Sequence, residues 1–389
     1  MKTKYELAEI VHRFGNELLQ KESLSPTQTK TLLDIVQCRT AALGGHEQAC
    51  DCCGSVRYSY NSCGNRHCPK CQLAKQIKWI NKLTDRTLPV THYHVVFTVP
   101  HCLNNICLWN AKLYFKILFS TVWRTLHSFG YTHYGVESGA VAVLHTWGQN
   151  LSLHLHLHCL VPATGYSLKG QWKNIGVNGK YLYPVQQLSS CFKDKFLKSL
   201  ERALIKEGNL RGFDSAIEVA WKKKWVVYSE PSMADADRVI QYLGQYTHRV
   251  AISNHNIINI TKTHVEFIAK DYRDNAKKKP SKLTGYEFLR RFCQHILPRQ
   301  FVKIRYFGIY NETSKRNLKL QFKQPSIDDI EKQQTIKSET AVDCIKRVLG
   351  IDVMACPICK KGTMRRIREI PRIRSPNNHL PGLLSWLLI

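Results

Sequence analysis

Three histidines at alternate positions are the residues of this sequence that most suggest chemistry. His154, His156 and His158 alternate with leucines in a segment that reads as a β-strand, so the histidines share one face and the leucines the other. Three imidazoles on one face would repel one another if protonated, whereas a divalent ion binds them in the neutral form. His156 and His158 therefore predict a two-imidazole clamp with open positions, which suits a catalytic divalent ion.

A third ligand of this ion must come from elsewhere in the chain. His145, on the strand before the histidines, is the first candidate. Three further residues are alternatives: His94, Gln149 and His154. Residues 141–147 and 151–161 read as the two strands of a hairpin, but the sequence does not determine their register, so the choice stays open.

Two tyrosines follow at helical spacing. Tyr242 and Tyr246 stand at i and i+4 in a segment that reads as a helix over 235–246, so both phenols lie on one face. Such a pair is most often an ordinary packed stripe. Near a metal-binding strand, however, a tyrosine can attack a phosphodiester and form a phosphotyrosine. Bond energy is kept in that intermediate, so DNA could be rejoined without ATP, and two tyrosines allow two successive strand exchanges.

Cysteines between residues 50 and 71 have the spacing of zinc ligands. Cys50 and Cys53 form one Cys-x-x-Cys pair, and Cys68 and Cys71 form another. Since each pair can place two thiolates on one ion, the two pairs together predict one tetrahedral structural zinc site. Three surplus residues could serve a second ion or substitute in the first: Cys63, His67 and His46.

A third Cys-x-x-Cys pair, Cys356 and Cys359, lies near the C-terminus, with Cys344 and His379 as distant candidate partners. The sequence favours neither zinc nor free thiols there. A run of cations follows the pair, and beside a cysteine knuckle it indicates nucleic-acid contact at least as readily as a solvated face.

The charge balance predicts a polyanionic partner. The 389 residues contain 57 Lys and Arg against 29 Asp and Glu, a net charge of +28. Bound nucleic acid makes such self-repulsion tolerable. Basic side chains in three segments are the candidate DNA contacts: Lys222, Lys223, Lys224, Arg249, Arg290 and Arg291. The three lysines lie between Trp221 and Trp225, whose rings either stack on bases or face the interior.

The elements that must position these residues are helices and strands mixed without regular alternation, which favours an α+β fold with an antiparallel sheet. A 43% apolar content argues against general disorder, and an odd count of 15 cysteines argues against a fully paired disulfide framework.

The sequence also suggests how the chain divides. We expect a basic loop at 277–280. The expected units are N-terminal helices (1–40), a zinc-binding domain (41–86), a catalytic domain (87–310), a linker (311–340) and a basic C-terminal region (341–389).

Taken together, the motifs resemble the rolling-circle transposases of bacterial insertion sequences, the two-tyrosine HUH (His, hydrophobic, His) enzymes of the insertion-sequence-91 type. The resemblance covers nearly the whole chain. The segments that carry it are 38–46, 60–72, 93–100, 145–149, 156–162, 242–254, 287–292 and 295–298.

The resemblance implies a five-stranded antiparallel HUH sheet flanked by helices, and a zinc-binding domain near residues 41–75. His156 and His158 would ligate Mg²⁺ or Mn²⁺. Tyr242 and Tyr246 would cut single-stranded DNA at the element's ends, leaving a 5′-phosphotyrosine and a free 3′-OH. Leu155 stands where the family commonly has proline, which leaves the placement of His154 open.

Two other functions remain alternatives. A plasmid replication initiator or relaxase uses the same chemistry but usually adds a module such as a helicase, and the sequence has no Gly-x-x-x-x-Gly-Lys-Ser/Thr loop. A zinc-dependent DNA-binding regulator would do no covalent chemistry.

The two ends of the sequence do not resemble membrane or targeting segments. The first ten residues carry charges of both signs, and the apolar tail 380–389 is too short to span a bilayer. We therefore expect a cytoplasmic, nucleoid-associated bacterial protein without a membrane partner. The oligomeric state is not indicated.

Overall fold

The structure is a computed structural model that describes residues 3–84, 87–88, 90–148, 150–175, 182–231, 250–271, 277–317, 342–343, 346–347, 350 and 352–373. The helix expected at 235–246 lies outside these residues. So do six side chains considered above: Gln149, Tyr242, Tyr246, Arg249, Cys344 and His379.

The described residues form nine α-helices and fourteen strands, which confirms the α+β class. The helices are α1 (Leu7–Lys21), α2 (Pro26–Gln37), α3 (Gln72–Thr84), α4 (Asn104–Trp109), α5 (Ala111–Phe129), α6 (Val185–Lys206), α7 (Asp214–Lys222), α8 (Gly285–Gln294) and α9 (Glu312–Asn317). The strands are β1 (Gly45–Cys50), β2 (Val56–Tyr60), β3 (His92–Thr98), β4 (Val136–Glu137), β5 (Gly139–Trp147), β6 (Leu153–Pro162), β7 (Thr164–Ser167), β8 (Trp172–Asn174), β9 (Val226–Pro231), β10 (Ile257–Ile260), β11 (His264–Asp271), β12 (Lys277–Thr284), β13 (Ile304–Gly308) and β14 (Met364–Ile370).

The central sheet has five antiparallel strands, as expected, and their order is β13-β5-β6-β3-β9. Its apolar face packs against α5 and α6. Leu155 and Leu157 of β6 are fully buried in this core, together with Phe119 and Phe192 of the two helices. Burial of each leucine contributes roughly 1.5–3 kcal/mol. These leucines therefore fix which way β6 faces, and the alternating histidines must point to the other side of the sheet.

A second core joins the N-terminal helices α1 and α2 to α8 and the sheet β10-β11-β12. The approach of α8 to α1 depends on Gly285, because a Cβ atom there would lie 2.1 Å from the Phe14 ring. Segments at residues 7–38 and 251–293 thus share one hydrophobic cluster, although four of the five strands of the central sheet lie between them in sequence.

A third sheet joins residues from the two ends of the sequence. Its order is β14-β1-β2, and β14 pairs with β1 in antiparallel register from Gly45 opposite Ile370 to Cys50 opposite Met364. The region predicted to bind zinc and the basic C-terminal region therefore complete a single sheet.

The expected basic loop at 277–280 is wrong, because these residues begin strand β12, which pairs with β11 along its whole length. Lysines and a proline favour a loop locally, but β12 is an edge strand, where solvated cations and a missing backbone N–H are tolerated. Pairing with β11 outweighs the local preference.

Trp225 faces the interior. The indole is 4% exposed, and its Nε1 donates a hydrogen bond to the Ala220 carbonyl (3.0 Å). The nearby Trp221 Nε1 donates to Glu201 (2.7 Å). Of the two readings of this segment, the inward-facing one is therefore correct for Trp225. The segment is the end of helix α7 and a short connection to β9, not a strand.

Two buried histidines outside the alternating strand predict a pH-dependent stability. Burial lowers the pKa of both His92 and His295 from 6.5 to about 4. The unfolded chain binds protons at these sites below about pH 6.5 while the folded chain does not, so the free energy of unfolding should fall as the pH falls from 6.5 toward 4. Each residue contributes at most about 1.4 kcal/mol per pH unit in that range.

Urea titrations across this pH range would measure the effect. His295 Nε2 lies 3.1 Å from the Leu151 carbonyl oxygen, and His295→Gln keeps a donor at that position without a titrating ring. This variant should show a shallower pH dependence. Equal slopes for the variant and the unmodified protein would contradict the assignment.

Candidate metal centres

Three histidines converge on the polar face of the central sheet. His145 of β5 and His156 and His158 of β6 are all buried, and one ring nitrogen from each lies within 4.8 Å of the other two. His145 Nδ1 is 2.8 Å from His156 Nε2. The third histidine at this cluster is thus His145, which was the first of the candidates from the sequence.

The register of the β5–β6 hairpin creates this cluster. His145 stands directly opposite His156, and Val143 stands opposite His158. The register shifts between His145 and Trp147, so the pairing beyond the site does not continue the same alignment. A slip of one residue would turn the histidines of β6 into the apolar core.

Burial keeps the two histidines of β6 neutral. It lowers the pKa of His156 to about 3, with His154 as a smaller cause, and it lowers the pKa of His158 well below its ordinary value. Neutral imidazoles have a lone pair for a metal ion at neutral pH. Three imidazoles on one sheet face are a donor set that fits a divalent ion with positions left open for substrate.

Neighbouring groups orient two of the rings. His156 Nδ1 lies 3.0 Å from the His154 carbonyl oxygen, so a proton there is donated outward and Nε2 faces the cluster. His158 Nδ1 lies 2.8 Å from His94 Nε2, and these two rings are parallel with centroids 5.1 Å apart. Hydrogen bonds from the second ring nitrogen are typical of metal-ligating histidines, because they fix the tautomer and the ring orientation.

Two of the alternatives for the third ligand, His94 and His154, lie outside this cluster. His94 lies on β3 and contacts His158, but it is not part of the cluster. The half-buried His154 lies outside it, with its ring 5.2 Å from the ring of His101.

Two clusters of four cysteines lie outside the central sheet. The first contains Cys38, Cys63, Cys68 and Cys71, and the second contains Cys50, Cys53, Cys356 and Cys359. In each cluster the four sulfur atoms lie within 4.8 Å of one another. Four thiolates at such distances fit a tetrahedral zinc ion.

This arrangement corrects the prediction that Cys50, Cys53, Cys68 and Cys71 share one ion. The structure separates the two pairs, because β1 carries the first pair toward β14 while the second pair lies beside the end of α2. The surplus Cys63 joins the second of these pairs. Cys38 is not predicted as a zinc ligand from the sequence, because it has no cysteine two or three residues away and therefore forms no Cys-x-x-Cys pair.

The two surplus histidines belong to neither cluster. His67 is half-buried, and its Nε2 accepts a hydrogen bond from the Leu297 backbone N–H (3.2 Å). Desolvation lowers the pKa of His67 to about 3, so this ring is a neutral acceptor that joins the first cysteine region to the segment between α8 and β13. His46 lies on β1 and pairs with Ser59 and Glu369 in the third sheet.

The candidate DNA contacts fall into two surface groups. Arg290 and Arg291 both pair with Glu287, at 2.7 and 2.6 Å, and Arg291 also donates to the Asn150 carbonyl (3.2 Å). Lys222, Lys223 and Lys224 are exposed along a cleft of about 590 Å³ between α6 and the start of β9. Lys222 likewise pairs with an acidic residue, Glu218 (2.5 Å), and Lys223 and Lys224 are exposed to solvent beside it.

Among the described residues, no helix is long and apolar enough to cross a membrane.

The chain is similar to two families and to two individual proteins. Residues 139–317 match the family described as "Putative transposase", and residues 10–99 match the family "Transposase zinc-binding domain". A protein of Sinorhizobium fredii named "Putative transposase y4qJ" is 36% identical over 392 residues, covering 95% of this chain and 97% of its own. The transposase for insertion sequence element IS801 of Pseudomonas savastanoi is 26% identical over 304 residues, covering 75% of this chain and 72% of its own. No solved structure matches significantly.

Proposed function

Since the chain belongs to the insertion-sequence-91 family of transposases, we propose that it cleaves and rejoins single-stranded DNA by metal-assisted tyrosine attack. The observation that carries this proposal is the cluster of His145, His156 and His158. A purely DNA-binding regulator would need basic charge but not three converging neutral imidazoles on a sheet face.

The histidine cluster would hold Mg²⁺ or Mn²⁺, which when bound polarises the scissile phosphate and neutralises its oxygens. The chain's own part is to present the imidazoles in the neutral state, with His154 and His94 setting the orientation of two rings. The positions that the protein leaves open are where phosphate oxygens would bind.

Tyr242 and Tyr246 are the proposed nucleophiles, on the basis of their i, i+4 spacing and the family resemblance. The phenol oxygen of one tyrosine forms a bond to phosphorus and gives up its proton. The bond from phosphorus to the 3′ oxygen breaks, and that oxygen leaves as a 3′-OH after taking up a proton. The product is a 5′-phosphotyrosine, and attack by a 3′-OH on it reverses the steps and rejoins the strand.

The net charge of +28 suits a nucleic-acid substrate. The exposed Lys222, Lys223 and Lys224 lie next to β9, which is hydrogen-bonded to β3 in the central sheet. They lie beside α6, which covers the apolar face of this sheet, so we infer that they contact the backbone of DNA that passes the β9 edge. Strong salt dependence of binding is expected from such contacts.

A covalent adduct is the test of this function. The protein is incubated with labelled single-stranded oligonucleotides that carry the two ends of its element, with Mn²⁺ or with EDTA, and analysed on a denaturing gel. We expect a labelled band at the mass of protein plus DNA fragment with Mn²⁺ and none with EDTA. The same sequences as a perfect duplex should give less adduct. Tight DNA binding without an adduct at either end would instead support a regulator.

A further inference from the structure

The second cysteine cluster is assembled from two distant parts of the chain. Cys50 and Cys53 lie at the end of β1, whereas Cys356 and Cys359 lie just before β14, so that Cys53 and Cys356 are 303 residues apart. The match to the zinc-binding family ends at residue 99 and so leaves out half of this cluster. We propose that these four cysteines bind a second structural zinc ion, which holds residues 352–373 against the β1–β2 hairpin.

The sulfur positions have the dimensions of a zinc tetrathiolate. Cys50 Sγ lies 3.7 Å from Cys359 Sγ, and Cys53 Sγ lies 3.7 Å from Cys356 Sγ. A tetrahedron with zinc–sulfur bonds of about 2.3 Å has edges of about 3.8 Å. A disulfide would bring two sulfur atoms to about 2.05 Å. The spacing therefore matches four ligands around one ion.

The two halves of the cluster have the same local form. In each half, a backbone N–H two residues after the first cysteine points at its sulfur: Cys52 at Cys50 and Ile358 at Cys356, both 3.4 Å. Such donors stabilise the thiolate form that zinc requires.

Each knuckle also ends in a left-handed residue, Gly54 (φ 69°) after Cys53 and Lys360 (φ 58°) after Cys359. The left-handed conformation is uncommon for a lysine, so the turn of the second knuckle is imposed by its surroundings.

The two halves fit closely. A Cβ atom on Gly362 would lie 2.5 Å from Cys50 Sγ, so only glycine allows the C-terminal segment to approach this far. Asp51 accepts a hydrogen bond from the Thr363 N–H (2.7 Å) and pairs with Arg365 (3.0 Å). A second ion pair, between Glu47 and Arg368 (2.8 Å), joins β1 to β14.

The apolar core at this junction is small among the residues that the structure describes. Its buried members there are Cys50, Cys356 and Met364, and two of the three are ligands of the cluster. Units with so little core usually need a metal or a disulfide to fold. Surface ion pairs such as that of Arg365 add little. A zinc ion would therefore add to the stability that the described packing gives this junction.

Zinc stoichiometry in combined variants tests which cysteines share an ion. The full chain, purified under reducing conditions, is expected to contain about two zinc ions. Cys53→Ser and Cys356→Ser should each lower the content to about one, and so should the two together, because they remove ligands of the same ion. Cys68→Ser with Cys356→Ser should remove both ions.

Other outcomes would overturn the proposal. A content near zero with Cys53→Ser and Cys356→Ser together would mean that these residues serve different ions. A content near one with Cys53→Ser and Cys68→Ser together would mean that the two N-terminal pairs share an ion after all. Cys52→Ser is the matched control, because this exposed cysteine lies between two ligands but outside the cluster. It should leave two zinc ions.

Two further measurements cover the case in which a variant misfolds. Hydrogen exchange should show loss of protection in β1 and β14 of Cys356→Ser, while β5 and β6 of the central sheet stay protected. In the unmodified chain substituted with NMR-active cadmium, one cadmium signal should couple to the β-protons of both Cys53 and Cys356. Coupling of Cys53 and Cys356 to different signals would exclude a shared ion.

Discussion

A variant with His156→Ala and His158→Ala is expected to form the covalent DNA adduct at least about a thousandfold more slowly than the unmodified protein. Two of the three converging imidazoles are lost, and a Lewis-acid metal contributes several kcal/mol to such a reaction, with each 1.36 kcal/mol worth a factor of ten. Single-turnover time courses with Mn²⁺ would measure the rate. Titration calorimetry with Mn²⁺ alone should show loss of the binding site, independently of activity.

The fold should survive this change, because both histidines lie on the polar face of β6 and the leucines opposite keep the core. His154→Ala is the matched control, since it alters the same strand face outside the cluster. It should keep Mn²⁺ binding and retain most of the rate. If the double variant still bound Mn²⁺ with unchanged affinity, the metal centre would have to lie elsewhere.

A variant with Tyr242→Phe and Tyr246→Phe is expected to give no detectable adduct while binding single-stranded DNA with unchanged affinity. Phenylalanine keeps the ring and its packing volume but has no oxygen to attack phosphorus. Adduct formation is read on a denaturing gel and binding by fluorescence anisotropy.

The single variants would then separate the roles of the two tyrosines. Each keeps one nucleophile, so the variant that loses the first cut identifies the tyrosine that acts first. Tyr286→Phe is a useful control, because the hydroxyl of Tyr286 donates to Glu22, the residue after α1 (2.6 Å), and is not part of the histidine cluster. It should form the adduct normally. An adduct in the double variant, with phosphate on another residue type, would refute the assignment of the nucleophiles.

The sequence was sufficient for those features that depend on local periodicity. Alternation of histidine and leucine predicts which face of β6 is polar, because side chains on a strand alternate. The mixture of strands and helices predicts an α+β fold, and the family resemblance implies the five-stranded sheet. The resulting orientation of Leu155 and Leu157 toward α5 and α6 follows from burial alone.

Features that depend on contacts between residues far apart in sequence cannot be predicted from local periodicity. The register that places His145 opposite His156 depends on the hairpin and its irregularity, which local residue types do not determine. Cys-x-x-Cys spacing identifies ligands that are neighbours in sequence but not which pairs meet, so Cys50 and Cys53 were assigned to the wrong partners. Cys38 has no neighbouring cysteine and gave no signal at all. Lys277 to Pro280 have loop-like composition, yet pairing with β11 makes them a strand.

The β1–β14 pairing has a consequence for the order of events on the ribosome. Cys53 is made 303 residues before Cys356, and at about 5–20 residues per second this is a delay of roughly 15–60 seconds. During that time β1 has β2 but not β14 beside it, and two thiols lack half of their partners. A nascent chain thus carries an unpaired edge of β1 and the oxidisable thiols of Cys50 and Cys53 near its N-terminus. Only a chain translated past Ile370 can close the sheet, so every shorter polypeptide keeps this strand edge unpaired with β14.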